Sequence, residues 1–145
     1  MLRSAHFMIG KAKRNQRARR GAAVTEFAVV APIMIMLTMG MIEIGRMVMV
    51  KQVMVNASRE GARFGALPGT SNAEVTSRVQ QELDSASITG VSISVTPANL
   101  VTAPAGSQVK VLLIVPASQV SWVPNPLFSF SKNISTSTTM RRESQ

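Results

Sequence analysis

Glu26, Glu43, Glu60, Glu74, Glu82, Asp84 and Glu143 are the only carboxylates of this chain, His6 is its only imidazole, and cysteine is absent. General acid–base work needs two such groups held against one substrate. Glu82 and Asp84 stand two apart in a helical stretch and point to different sides. His6 lies in a basic tail, so the many Ser and Thr have no base to activate them. No cysteine means no thiolate nucleophile, no thiolate metal ligand and no disulfide framework. A glycine-rich phosphate loop is also missing. The residue types therefore predict no catalytic residue, no metal site and no cofactor, and point away from an enzyme. One acid stays unexplained: Glu26 lies just inside an apolar run, in "RRGAAVTEFAVVAPIMIMLTMG".

The charge around that run is lopsided. Arg3, Lys11, Lys13, Arg14, Arg17, Arg19 and Arg20 precede Gly21 with no acid among them, whereas nine Lys/Arg face seven Asp/Glu in the rest of the chain. The formal net charge of +9 thus describes a tail. Such a tail suits nucleic-acid phosphates or a solvated arm. Directly before a long apolar segment, however, positive charge holds that end in the cytoplasm. We favour this topogenic role for Lys11, Lys13, Arg14, Arg17, Arg19 and Arg20, with the lipid bilayer as partner and no nucleic acid.

Sixteen uncharged residues separate Glu26 from Glu43, and seven of the ten methionines fall between Met34 and Met54. From Ala22 to Ile44 the run matches the roughly 20 residues that a bilayer core requires, and it lacks the polar stripe of a soluble helix. Pro32 frees the carbonyl of Ala28 and predicts a mild kink. Beyond Glu43 the helix continues to Pro68 as an amphipathic extension. Gln52, Asn56, Arg59, Glu60 and Arg63 form its polar stripe, while Val50, Val53, Met54, Ala57 and Phe64 line the other side. That apolar side suits packing on the following domain, with partner helices as the alternative. Glu43 and Arg46, three apart, read as a local ion pair. A cleavable secretory signal is disfavoured, because the nearest small-residue site comes too late.

The remainder reads as a small α+β domain. Ser71 and Glu74 form a capping-box pattern opening a helix from about Asn72 to Ala86. "VSISVTP" alternates as a half-buried strand, "QVKVLLIVP" is a more apolar one, and "ISTSTTMRRE" is a polar third. Residues 117–133, with Trp122, Phe128 and Phe130, read as an irregular loop. The expected organisation is a basic cytoplasmic leader (1–21), a transmembrane helix (22–44), an exported helix extension (45–66) and the α+β domain (67–145), with an antiparallel sheet of about three strands.

With this topology, "GAAVTEF" acquires a second meaning. A glycine at the cytoplasmic edge, then Glu at the fifth position and an aromatic, resembles the prepilin-type processing pattern. The stretch "GAAVTEFAVVAPIMIMLTMGMIEIGR", with the weaker "NASREGARFGAL" and "TTMRRE", resembles the TadE-like family of pilus assembly proteins, minor pseudopilins of tight-adherence systems. The resemblance implies a single-pass inner-membrane protein with an external, periplasmic carboxyl-terminal domain. It also implies cleavage by a prepilin peptidase between Gly21 and Ala22, and other pilus assembly proteins or pilin subunits as partners through the amino-terminal helix. It gives Glu26 the task of docking an incoming subunit beside Phe27, where such pilins often carry Tyr. Physically, cleavage would create an amine on Ala22 about 6 Å along the helix from Glu26. A carboxylate in apolar surroundings needs such a partner. A helix-start acid favoured by the macrodipole and an uncleaved single-pass anchor are the rival readings.

Overall fold

The computed structural model describes the backbone of residues 3–121 and 133–143 and the side chains of residues 21–121 and 133–143. The chain divides into two compact units, residues 1–41 and 42–145. Helix α1 (Arg3–Gly65) contributes to both. It incorporates the basic leader and stays helical through Pro32. The absence of any other proline in a run rich in Ala and Met accounts for that continuity. Within the first unit its apolar side chains are bare: Val24, Phe27, Ile33, Met34, Ile35 and Leu37 are all exposed. In composition and length, residues Gly21–Gly65 can cross a membrane.

The second unit is an α+β domain whose core forms where the end of α1 meets a helix and a sheet. Helix α2 (Asn72–Ser85) starts at the expected capping box. The Glu74 amide donates to Ser71 Oγ at 3.3 Å, and the Ser71 amide donates to the Glu74 carboxylate at 2.8 Å. Two otherwise orphaned donors are thus satisfied reciprocally. Strands β1 (Ser92–Thr96), β2 (Gln108–Pro116) and β3 (Asn133–Arg141) form an antiparallel sheet in the order β1-β2-β3. Ile93 pairs with Leu113 and Leu113 with Thr136.

This register sets Val109, Val111, Leu113 and Val115 on the inner face, where all four are buried. They meet Val75, Val79 and Leu83 of α2 and Val50, Met54 and Ala57 of α1 in one cluster, with Val53 and Phe64 half-buried beside it. The amphipathic extension therefore packs on its own domain. A short helix α3 (Ala117–Val120) follows β2, replacing the start of the expected irregular loop. Pro116 ends the strand and, with β/extended backbone, serves as the cap residue of that helix. Trp122, Phe128 and Phe130 lie outside the described residues.

Candidate processing and assembly site

Gly21, Ala22, Glu26 and Phe27 all lie on α1, and all are exposed. Two local explanations for these residues lose their footing. The helix begins at Arg3, so Gly21 is no helix-start glycine and, in the full-length chain, Glu26 is far from the amino-terminal dipole. Nor does packing demand glycine at 21: a Cβ built there meets nothing within 4 Å. Among the described residues Glu26 has no ion pair or hydrogen bond. Lys11, Lys13, Arg14, Arg17, Arg19 and Arg20 fall on the same helix, and their side chains lie outside the described ones.

Thr25 is the neighbour that sequence reasoning passed over. Its hydroxyl reaches back to the carbonyl oxygens of Gly21 at 3.2 Å and Ala22 at 2.8 Å, the first of which belongs to the bond expected to be cut. The available signal was its place four residues after Gly21, the distance at which a helical threonine bonds the preceding turn.

The expected pair of Glu43 with Arg46 is not formed. Arg46 Nε instead donates to the carbonyl of Val120 at 2.6 Å, tying α1 to α3. Neither carboxylate oxygen of Glu43, which is 4% exposed, has a hydrogen-bond partner among the described residues. The cause is the register of the buried face. Glu43 falls in line with Met47, Val50 and Met54 on the side of α1 that the domain covers.

The small residues of "NASREGARFGAL" have a packing role. A Cβ at Gly61 would meet Val79 Cγ2 at 2.3 Å, and one at Gly65 would stand 3.1 Å from both Val109 and Val75. These glycines let α1 lie against α2 and the sheet. Buried Ser58 reaches the Val55 carbonyl at 2.9 Å and shares a 2.7 Å hydrogen bond with the Thr138 hydroxyl. At the far end of β3, the Arg142 guanidinium donates to the Leu100 carbonyl, pinning the β1–β2 connection. On the polar stripe, Glu60 binds Arg63 at 3.0 Å, and it reaches Arg78 of α2 at 3.4 Å. These bonds, led by that of Arg63, hold its carboxyl below the ordinary value of 4.5. Glu74 is lowered in the same direction by the hydrogen bonds of Ser71. Among the described residues no three His, Asp or Glu gather as a metal would require.

These features define a class: a helix long and apolar enough to span a bilayer, leading into a small α+β domain. Residues 21–63 match the family model for TadE-like protein, the family whose motif the sequence resembles. That match starts at the glycine of the candidate processing site and ends inside the close-packed glycine motif. No curated protein and no solved structure matches the chain.

Proposed function

We propose that this chain is a non-catalytic, membrane-anchored component of a tight-adherence pilus assembly system, processed by a prepilin peptidase after Gly21. The TadE-like match supports the system. The observation that carries the processing is Gly21 itself, a glycine that neither backbone nor packing requires, five residues before an acid with no partner among the described residues. In this reading the seven positives before Gly21 keep the leader in the cytoplasm, and the α+β domain lies on the outer side of the inner membrane. Cleavage removes those charges and leaves an amine on Ala22. Glu26 then pairs with that amine, or with the amine of an adjacent subunit, and so positions a helix among pilin subunits.

Intact mass and amino-terminal sequencing of the membrane-purified protein test this reading. Wild-type protein should begin at Ala22. Gly21→Leu should stay in the membrane as a precursor heavier by the leader. Glu26→Gln keeps the shape and removes the charge, so it should be cleaved and inserted but should not support pili. Normal assembly by Glu26→Gln would remove the pairing role. A wild-type chain still carrying its leader in cells that make pili would leave the uncleaved anchor, the reading that the uninterrupted helix across Gly21–Ala22 favours.

A further inference from the structure

Between Ile42 and Arg63, α1 carries two faces that change character at different heights. One side is covered by the domain from Glu43 upward: Glu43, Val50 and Met54 are buried and Met47 half-buried. The opposite side holds Ile44, Gly45, Val48 and Met49, followed by Gln52, Asn56, Arg59 and Arg63. At 100° per residue these fall within one exposed sector. Ile44 is 48%, Val48 61% and Met49 49% exposed. The later exposed members of the sector are all polar or charged, and Val55 and Ala62, on its Ile44 edge, are half-buried and buried. A face bare to water throughout has no reason to switch from wholly apolar to wholly polar between Met49 and Gln52.

We infer that residues Ile44–Met49 are a lipid-binding surface, and that the membrane-proximal end of the α+β domain is sunk into the headgroup and upper acyl layer of the bilayer. The inference rests on reading α1 as a membrane span. Length supports lipid as the occupant. From Ala22 to Met49 the apolar face covers about 42 Å at 1.5 Å per residue, which fits a whole bilayer of about 40–45 Å including headgroups. A stop at Ile42 would account for the hydrocarbon core alone. Lys51, exposed at the upper limit of the apolar patch, reaches the phosphates, as basic residues do at a membrane boundary. Glu43 fits the same frame: at the depth where lipid meets Ile44, the domain covers the acid on the other side and keeps it off the acyl chains.

The absence of cysteine makes the test clean. Single cysteines replace Met36, Ile44, Val48, Met49, Gln52 and Asn56 in the full-length chain. Each carries a nitroxide label, in vesicles of phosphatidylethanolamine and phosphatidylglycerol. Relaxation by oxygen and by a water-soluble nickel complex then reports depth. Labels at 44, 48 and 49 should be relaxed by oxygen and shielded from nickel, and labels at 52 and 56 the reverse, with a several-fold change in the ratio between 49 and 52. Nickel access at 48 and 49 equal to that at 56 would overturn the inference. So would shielding from both agents with dipolar broadening that disappears on dilution with unlabelled chain, because the occupant would then be a second copy. A Met36 label open to nickel would instead refute the span.

Discussion

Gly61→Ala is a one-carbon change whose sign can be worked from the packing. In an unconstrained helix interior it would stabilise by about 1 kcal/mol, the propensity difference between the two residues. Here the added Cβ stands 2.3 Å from Val79 Cγ2, with Val75 and Val111 methyls at 3.7 and 3.8 Å closing the space behind. Carbon atoms prefer about 3.5–4.0 Å, so something must retreat by more than 1 Å. Val79 is fully buried and, being β-branched, has one favoured rotamer in a helix. The retreat therefore falls on the separation of α1 and α2. Overpacking of this kind costs about 1–3 kcal/mol, and so deep an overlap belongs at the upper end. The net expectation is a loss of about 2 kcal/mol. Urea titration of the full chain in micelles, read by pulse proteolysis, measures it. Val79→Ala alone should cost about 2 kcal/mol through lost burial and the cavity left behind. In the Gly61→Ala background that cost should vanish, because the new methyl enters the vacated space. A Gly61→Ala protein as stable as wild type, or a double variant equal to the sum of the singles, would refute the reasoning.

Two further predictions concern the same domain. Because Glu60 and Glu74 are both held below the ordinary carboxylate value in the folded state, the stability they contribute is complete above about 4.5. It is lost as the pH falls through their folded values. The unfolding midpoint should hold steady from neutrality downward and then drop across that range, and Glu60→Gln with Glu74→Gln should flatten the drop. Thr138→Val leaves buried Ser58 Oγ without its hydroxyl partner, so it should cost about 1–3 kcal/mol in the same urea assay. Ser58→Ala combined with Thr138→Val should recover part of that loss, since both partners are then apolar.

Periodicity made most of the fold legible. Two-residue alternation in "VSISVTP" and the Val/Leu/Ile density of "QVKVLLIVP" located β1 and β2. Ser71 and Glu74 located the start of α2 through the reciprocal capping box that the structure contains. The apolar stripe of Val50, Met54 and Ala57 announced a buried face. What stayed hidden depends on distances across the chain. Ser58 and Thr138 are eighty residues apart, and no local pattern brings the two hydroxyls together. Helix spacing makes Arg46 a neighbour of Glu43, yet the carbonyl of Val120 that it binds lies beyond any local rule. At the candidate site, glycine, acid and charge block were readable as a motif. The helical backbone running through them was not, since "RNQRARRG" carries no apolar periodicity.

That continuity makes the bond between Gly21 and Ala22 a guarded one. A protease takes its substrate as an extended strand, whereas the carbonyl of Gly21 sits in a helical turn and also accepts the Thr25 hydroxyl. In the proposed pathway the peptidase therefore acts on a minor, locally opened form, and its rate follows the population of that form as hydrogen exchange would report it. The glycine then matters twice. It leaves the subsite free of a side chain, and it lowers the cost of unwinding the turn by about the 1 kcal/mol that separates it from alanine. Maturation becomes a matter of how often this helix frays, so the timing of assembly is written partly in the local stability of residues 18–25.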